Sequence, residues 1–358
     1  MQKLSFIFLA AAFIFSCSKE NPDANIAPDL PAGGNERTEE PPNDNSYSIT
    51  LQSAQSSISF LIAADDGDKA GVWIDLNNNQ KREIGEDIRQ FRTRITCTLD
   101  ASKAVKIYGR VKELVCIKNQ LTAIAFSKNT VLTSLACSDN LLTSLELLNN
   151  TTLKSLSCAT NKITSLDLSK NTALTYLDCA FNKLTQLDLS KNALLTELNC
   201  SNNLLASLSV SDKPGLKLIY CFDNKLAILT VSNNPLLDRI YCNANHLTSL
   251  NITQTPALKY LHCQENQLRE LNLSTHSELI ELNCSLNNIN SAKMLELINN
   301  LPSKSAMAKA YIISNDTGEA NLLPPVVLFT ASYKDIAKNK RWQLFRFMSD
   351  GSVAHLNP

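Results

Sequence analysis

The stretch LDCAFNKLTQLDLSKNALLTELNC, Leu177 to Cys200, contains the repeat that decides the fold of this 358-residue chain. It begins and ends on the same phrase, leucine, any residue, cysteine, and its two cysteines are 21 residues apart. The third residue after each cysteine is an asparagine, and the second residue before each cysteine is Leu or Ile. The same period relates nine cysteines, which are Cys116, Cys137, Cys158, Cys179, Cys200, Cys221, Cys242, Cys263 and Cys284.

A fixed short period predicts a solenoid, in which each repeat is one turn that buries its apolar side against the next. The unit reads LxxLxCxxNxLxxLxLxxNxx. The pattern Leu-x-Cys alternates with a period of two, which is typical of a strand. A second phrase of the same kind follows in each unit, as at Leu187 to Leu189. Each turn is therefore expected to hold two short strands and two tight corners. At about 4.8 Å between strands, nine turns would make a face roughly 40 Å long.

These nine in-phase repeats resemble the leucine-rich repeat family, in its short bacterial 21-residue variety with a nested second phrase, as in internalin-like proteins. The resemblance covers about residues 111–290. It implies a right-handed solenoid with parallel β strands on the concave face and short strands or turns on the convex face. It also implies adhesion to host or neighbouring-cell proteins as the leading role.

The repeated asparagines and cysteines are interpreted as structural. A buried asparagine amide can bond the backbone groups that a tight corner leaves unpaired, and it tolerates turn dihedrals, so an asparagine ladder is expected. Successive turns would bring cysteine Cα atoms within the range of a disulfide. However, an odd number of cysteines cannot all pair, and in-register side chains point the same way rather than at one another. The sequence also lacks the CxxC spacing that is typical of metal sites. The cysteines are therefore predicted to be small core residues.

The N-terminus predicts export. Lys3 precedes the apolar run Leu4 to Phe15, which is too short to span a bilayer, so residues 1–16 read as a signal peptide. The following Cys17 resembles the acylated cysteine of bacterial lipoproteins; the alternative is an ordinary signal peptide with an incidental cysteine. Residues 17–45 mix prolines, glycines and acids and are expected to form a tether. The predicted location is the cell envelope, as a lipid-anchored protein of the outer membrane, facing the surface or the periplasm.

The remaining segments divide on their patterns. Residues 46–110 contain alternating apolar stretches and are predicted to form a small β N-terminal module, residues 111–290 the repeats, and residues 291–358 an α/β C-terminal cap. Lys plus Arg and Asp plus Glu both total 34, so the balanced charge gives no indication of nucleic acid or of an anionic membrane surface as partner. The predicted membrane contact is the N-terminal lipid only.

A possible calcium loop lies in the N-terminal module, within Val72 to Asp87. Its oxygen-bearing residues fall at positions 1, 3, 5, 9 and 12 of an EF-hand-like loop, with a backbone carbonyl at position 7. Position 6 is Gln80, where the pattern has glycine, and no flanking helices are evident. A polar hairpin turn is the alternative interpretation. The candidate ligands are Asp75, Asn77, Asn79, Lys81, Glu83 and Glu86.

Residues one before, one after and three before each cysteine should point out of the sheet. In the later turns these positions become aromatic or basic, which is typical of binding surfaces; cross-strand packing of tyrosines is the alternative. A protein partner bound on this face, in adhesion to a host or neighbouring cell, is the leading hypothesis, with glycan or nutrient capture and an envelope scaffold as alternatives. The predicted ligand-binding residues are Tyr176, Tyr220, Phe222, Arg239, Tyr241, Asn243, Tyr260, His262 and Gln264.

Catalysis is not expected, and no cofactor is required. The four histidines, His246, His262, His276 and His355, lie in no motif with an acid and a nucleophile. His262 adjoins Cys263, but neighbouring residues on a strand point to opposite faces. No phosphate loop, nucleophile elbow or HExxH motif is present.

Overall fold

The computed structural model describes residues 46–127, 131–314, 331–347 and 352–356. The signal peptide, Cys17 and the tether lie outside the described residues. Twenty strands and two α-helices lie in the described ranges: β1 (Ser48–Ser53), β2 (Ser57–Ala63), β3 (Trp73–Asp75), β4 (Ile95–Thr98), β5 (Ala104–Tyr108), β6 (Glu113–Val115), β7 (Leu121–Phe126), β8 (Ser134–Ala136), β9 (Ser155–Ser157), β10 (Tyr176–Asp178), β11 (Glu197–Asn199), β12 (Ser207–Ser209), β13 (Leu218–Tyr220), β14 (Ile228–Thr230), β15 (Arg239–Tyr241), β16 (Tyr260–His262), β17 (Glu281–Asn283), α1 (Ser291–Asn300), β18 (Ala308–Ser314), α2 (Ala331–Asn339), β19 (Trp342–Phe347) and β20 (Val353–His355).

Fourteen strands form one continuous sheet, called here the long sheet, in the order β20-β19-β18-β17-β16-β15-β13-β11-β10-β9-β8-β6-β2-β4. The repeat strands pair in parallel, each shifted by one 21-residue unit, so Leu177 lies opposite Leu198 and Leu156. Within each strand the middle residue is buried and its two neighbours face outward. This is the parallel β-solenoid that the repeat predicts, with the architecture of a leucine-rich repeat protein.

The core of the solenoid consists of stacked columns of Leu, Ile and Cys. All nine repeat cysteines have no exposed surface and are free thiols. Burial has the largest influence on the pKa values of these thiols, and it raises the pKa of Cys200, for example, to about 12. The prediction that the cysteines are core residues is confirmed. A thiol with so high a pKa is unreactive at neutral pH, because the thiolate is the nucleophile.

An asparagine ladder closes one corner of every turn. The amide nitrogen of Asn203 donates to the carbonyl oxygens of Cys179, Cys200 and Ser201 at 3.0, 3.1 and 3.1 Å. Its amide oxygen accepts from the Leu184 N–H at 3.0 Å. Since these backbone groups have no strand partner, the amides satisfy polar atoms that would otherwise be buried unpaired. The predicted ladder is therefore present.

A second ladder lines the opposite corner and is less regular. The amide nitrogen of Asn192 donates to the carbonyls of Leu168 and Asn171 at 3.2 and 2.9 Å. In two later turns the same place is taken by Lys213 and His276, which are 2% and 0% exposed. Each keeps a nitrogen on the equivalent carbonyl at 2.9 Å. This position is therefore filled by several kinds of side chain that can donate a hydrogen bond to the carbonyl, and asparagine is one of them.

The second leucine phrase is expected to form a strand in every repeat, but it does so in only some of the turns. Among the described repeats this phrase forms a strand in the first turn, as β7, and in two later turns, as β12 and β14, which pair with each other. In turns that carry Asp188 or Asn272 at the middle of the phrase, that side chain accepts the backbone N–H two residues later. This bond bends the chain away from a strand. β12 and β14 have Ser209 and Thr230 at that position, and there the strand forms.

The N-terminal strands are hydrogen-bonded to the repeats on both sides of the first turn. β2 pairs antiparallel with β6 and extends the long sheet, and β4 follows it as the edge strand. β1 pairs antiparallel with β7, which is the second phrase of the first turn, and with β5. β3 pairs with β5 and completes a four-stranded sheet. The first repeat thus has partners for both of its phrases.

The C-terminal strands continue the long sheet at its other end. β18 pairs in parallel with β17, β19 in parallel with β18, and β20 antiparallel with β19. The helix α1 begins after Asn290, whose side chain accepts the N–H of Lys293 at 3.0 Å, and it buries Met294, Leu297 and Ile298. The Trp342 indole donates to the Pro302 carbonyl at 2.7 Å and fixes β19 beneath the end of this helix.

Neither described helix has the length and apolar character needed to cross a membrane.

Candidate binding face

The outward side chains of the long sheet form two columns. The first residues of the strands give the first column, which contains Tyr176, Glu197, Leu218, Arg239, Tyr260 and Glu281. The third residues give the second column, which contains Asp178, Asn199, Tyr220, Tyr241, His262 and Asn283. The register places these side chains about 4.8 Å apart along each column. The outward orientation predicted for them follows from the alternation in each strand.

Aromatic rings in the second column contact one another across strands. The rings of Tyr220 and Tyr241 stack with centroids 4.8 Å apart. His262 meets Tyr241 edge to face at 4.7 Å, and Phe222 meets Tyr220 edge to face at 6.2 Å. All four side chains are half-buried. The tyrosines therefore pack across strands, as the alternative interpretation expects, and their role in binding stays a prediction.

The remaining predicted residues surround this stack. The Arg239 guanidinium lies 5.1 Å from the centre of the Tyr260 ring and 3.8 Å from the Asp238 carboxylate. Asn243 and Gln264 follow buried cysteines and lie beside the second column. Tyr176 stands apart, because two strand positions occupied by Glu197 and Leu218 separate it from Arg239 in its column. The structure thus groups eight of the nine predicted residues and leaves Tyr176 at the edge.

Burial governs the ionisation of the tyrosines on this face. It raises the pKa of Tyr241 to about 12 and that of Tyr176 to about 12, with the Asp178 and Glu197 carboxylates adding to the effect on Tyr176. It also raises the pKa of Tyr220. At neutral pH the tyrosines therefore present neutral hydroxyl groups, which can both donate and accept hydrogen bonds.

The structure adds three residues that sequence patterns did not indicate. Tyr311, Phe345 and His355 continue the second column beyond Asn283. Tyr311 stacks on Phe345 and Phe345 on His355, each pair with centroids 5.0 Å apart. These residues lie outside the 21-residue period, and only the pairing of β18, β19 and β20 with the repeats brings them into register.

His262 on this face contacts a carboxylate of the neighbouring strand. His262 Nε2 lies 2.7 Å from Glu281 Oε1, and this contact lowers the pKa of the Glu281 carboxyl. The adjacent Cys263 is fully buried, and burial raises the pKa of its thiol well above the ordinary value. The imidazole and the thiol therefore point to opposite sides of the sheet, as the alternation predicts.

The predicted calcium loop has an EF-hand-like pattern of hydrogen bonds. The two Asp75 carboxylate oxygens accept the N–H groups of Asn79 and Gln80 at 3.1 and 3.0 Å. Gln80 has a φ of 63°, the left-handed conformation that the pattern usually obtains from glycine at this position. Glu86 accepts the N–H groups of Leu76 and Glu83 with its two oxygens, both at 2.9 Å.

The other candidate ligands hold the loop together rather than converge on one point. The amide nitrogens of Asn77 and Asn79 donate to the two oxygens of Glu83 at 3.0 and 2.7 Å. The Asn79 side-chain oxygen accepts the Lys81 N–H at 2.8 Å. No group of three or more His, Cys, Asp or Glu side chains is placed to hold a metal ion within the described ranges. Calcium at this loop stays a prediction.

Comparison with known proteins finds similarity only among solved structures. No family model matches the chain, and no curated protein matches it. The functional domain of InlJ from Listeria monocytogenes, described as including a cysteine ladder, is 29% identical, with 62% of this chain and 54% of that chain covered and a TM-score of 0.44. YopM from Yersinia enterocolitica is 28% identical, with 52% and 39% covered and a TM-score of 0.42. A leucine-rich repeat protein from Leptospira interrogans is 20% identical, with 64% and 71% covered and a TM-score of 0.36.

The chain spans only about half the length of the InlJ domain that it matches. These neighbours are leucine-rich repeat proteins. For this chain the repeat architecture rests on its own strand register, its buried leucine and cysteine columns and its asparagine ladder.

Proposed function

We propose that this protein binds a protein partner on the outward face of the long sheet and has no chemistry of its own. The observation that carries the proposal is the column of half-buried aromatic rings Tyr220, Tyr241 and His262, flanked by Arg239 and Tyr260. Large aromatic side chains and arginine dominate the energetics of protein interfaces when a partner covers them. The rings are already held in place by their neighbours, so binding would cost little side-chain entropy.

The ring geometry favours a protein over a glycan, which remains the second candidate. Sugar rings would need free aromatic faces on which to lie. One face of Tyr220 is stacked on Tyr241, and Tyr260 is covered by the Arg239 guanidinium. Apart from the face of Tyr220 turned away from Tyr241, the stack presents ring edges and hydroxyl groups, which suit apolar side chains and backbone carbonyls of a protein.

The test compares the full chain with a variant carrying Tyr220→Ala, Tyr241→Ala and Tyr260→Ala. Each is immobilised to select from a phage library of random dodecapeptides, and each is applied in solution to a glycan array. We expect the unaltered chain to enrich peptides and the triple variant to enrich none. Equal enrichment by both would remove the proposed face, and binding to glycans alone would favour the second candidate.

A matched control removes apolar surface elsewhere. Leu194 and Leu236 are 58% and 51% exposed and occupy equivalent positions in turns two repeats apart, away from the outward residues of the long sheet. The variant Leu194→Ala, Leu236→Ala should enrich the same peptides as the unaltered chain. Loss of enrichment in this control would mean that general stickiness, and not the aromatic column, accounts for the capture.

We also propose that the chain is anchored in the cell envelope through an acylated Cys17, where adhesion to a host or neighbouring cell is the leading role and an internal envelope scaffold the alternative. The support is the sequence of residues 1–17, a short apolar run that ends in Ser16-Cys17. Replacement Cys17→Ser should move the protein from the membrane to the soluble fraction and abolish its labelling by a clickable palmitate analogue. Membrane retention of the variant would contradict the proposal.

Calcium binding in the N-terminal loop is a further proposal. Asp75 is fully buried and Glu86 is 5% exposed, and neither carboxylate has a salt bridge in the described part of the chain. A bound cation would offset this buried negative charge. Adding millimolar calcium to chelated protein should raise the melting temperature, and Asp75→Asn with Glu86→Gln should abolish that rise. An unchanged melting temperature in the unaltered protein would favour the polar hairpin turn.

A further inference from the structure

The binding face has an acidic end, where the aromatic column stops. Asp178 and Asn199 precede Tyr220 in the second column, and Tyr176 and Glu197 lie beside them in the first. Because Asn199 stands between Asp178 and Tyr220, the Asp178 and Tyr220 positions are two strand spacings, roughly 10 Å, apart. We call the region bounded by Tyr176, Asp178, Glu197 and Tyr220 the acidic notch.

The two carboxylates of the acidic notch have no cationic partner. Neither Asp178 nor Glu197 forms a salt bridge within the described ranges, and Asp178 accepts only the Ala180 N–H, at 3.2 Å. Both side chains are half-buried. Arg239 lies on the far side of Leu218 in the first column and is directed to Asp238 and the Tyr260 ring. The notch therefore holds uncompensated negative charge on a partly desolvated surface.

One aromatic face borders the same space. Tyr241 stacks on one face of the Tyr220 ring, and because β15 and β11 lie on opposite sides of β13, the other face is directed over Asn199 towards Asp178. The face of a tyrosine ring carries negative electrostatic potential and attracts cations within about 6 Å of its centre. A flat guanidinium or an ammonium group fits a gap of this width between the ring and the carboxylate.

We propose that the acidic notch receives a lysine or arginine side chain of the protein partner, with the cation between the Tyr220 ring and the Asp178 and Glu197 carboxylates. This inference rests on the proposed protein-binding function and adds the chemistry of the partner. The partner presents a basic residue followed, about 10 Å further along the column, by an apolar group over the edges of Tyr220 and Tyr241. Charge complementarity of this kind fixes the register and direction of the bound segment.

The test uses the same dodecapeptide library on the full chain, on Asp178→Asn with Glu197→Gln, and on a charge-matched control. The control is Asp167→Asn with Asp188→Asn, which removes two exposed carboxylates from the second leucine phrase of two turns while keeping the bonds that these side chains accept from Ser169 and Ser190. The unaltered chain and the control should enrich peptides with lysine or arginine. The notch variant should lose that enrichment, with an unchanged melting temperature.

A second measurement isolates the pair itself. In a recovered peptide, arginine is replaced by citrulline, or lysine by norleucine, so that only the charge is lost. The dissociation constant should rise at least tenfold for the unaltered chain and change less than threefold for the notch variant. A neutral peptide that binds the unaltered chain as tightly as the basic one overturns the inference.

The two proposals fail in different ways. If the unaltered chain enriches peptides without lysine or arginine, and Tyr220→Ala, Tyr241→Ala, Tyr260→Ala abolishes their capture, the binding face stands and the cation notch is wrong. If the unaltered chain enriches no peptide at all, the proposed function is wrong, and the inference that rests on it is wrong too.

Discussion

At the scale of single residues, every repeat holds one strained position. Two residues after each repeat cysteine, the backbone adopts the left-handed conformation, with φ between 51° and 59°. The sequence leads us to expect the turn dihedrals at the ladder asparagine itself. The left-handed residue is instead the one directly before the asparagine. The occupants include Asn202 and Asp223, which adopt this conformation at low cost, and also Thr160 and Phe181, which adopt it at higher cost.

Replacing the β-branched residue at this position should stabilise the protein. We expect Thr160→Asn to raise the free energy of unfolding by about 1 kcal/mol, because asparagine adopts the left-handed conformation at lower cost. Equilibrium unfolding in urea measures the change. Thr164→Asn, at an exposed position outside the left-handed set, is the control and should give no gain. Equal effects of the two substitutions would show that strain at Thr160 is not the cause.

His276 makes the stability of the protein dependent on pH. Its side chain is fully buried with Nε2 on the Ile252 carbonyl, and burial lowers its pKa below the ordinary 6.5. As the pH falls below 6.5, the unfolded chain binds a proton at this imidazole that the folded chain does not, so stability present above pH 6.5 is lost. His276→Asn, which restores the residue found in other turns, should remove this loss.

The free energy of unfolding at pH 7.5 and pH 5.5 measures the contribution of His276. The unaltered protein should lose more stability over this range than His276→Asn. His246→Asn changes an exposed histidine and should behave as the unaltered protein does. An identical loss in all three proteins would assign the pH dependence to other groups.

At the scale of elements, the cysteine column is a packing element. Its members are fully buried, and burial raises the pKa of each thiol, to about 12 at Cys116 and Cys284. In the folded protein the thiols should therefore not react with a disulfide reagent such as Ellman's reagent at pH 8. In guanidinium without reductant, the nine repeat thiols and Cys97 should all react. Fewer than two reactive repeat thiols in the unfolded protein would indicate disulfides instead.

The repeat strands and both sides of their sheet could be predicted from the sequence, because a strict 21-residue period fixes the register of every turn. The second phrase could be predicted less well. Asp188 bonds its own backbone in a turn without this strand, and Ser209 lies within the strand β12. The turn with Glu146 at the same position also lacks the strand, so this residue alone does not decide whether it forms. The aromatic side chains of Tyr311 and Phe345 could not be placed, because they join the column through strand pairing outside the period.

At the scale of the whole molecule, the repeats behave as a one-dimensional array. Each turn contacts its neighbours, and stability is approximately a sum over turns and their interfaces. A deletion of one full period therefore keeps the leucine, cysteine and asparagine columns in phase. Deleting residues 182–202 joins Phe181 to Asn203 and removes β11, and deleting residues 140–160 joins Asp139 to Asn161 and removes β9.

Both deletions should give folded proteins with a lower melting temperature than the unaltered chain, because each removes one turn and its interface. Only the first deletion alters the acidic notch. It removes Glu197 and Asn199 and brings β10 beside β13, so Asp178 would lie one strand spacing, about 4.8 Å, from Tyr220 instead of two. That gap is too narrow for a guanidinium group.

Each deletion removes one turn and its interface, so peptide capture, rather than stability, distinguishes the two variants. A peptide that binds the unaltered chain through its arginine should bind the 140–160 deletion with unchanged affinity and should bind the 182–202 deletion at least tenfold more weakly. Circular dichroism and melting temperature establish that both variants are folded. Unfolding of the 140–160 deletion would contradict the additive array, and tight binding by the folded 182–202 deletion would show that the spacing across β11 does not determine recognition.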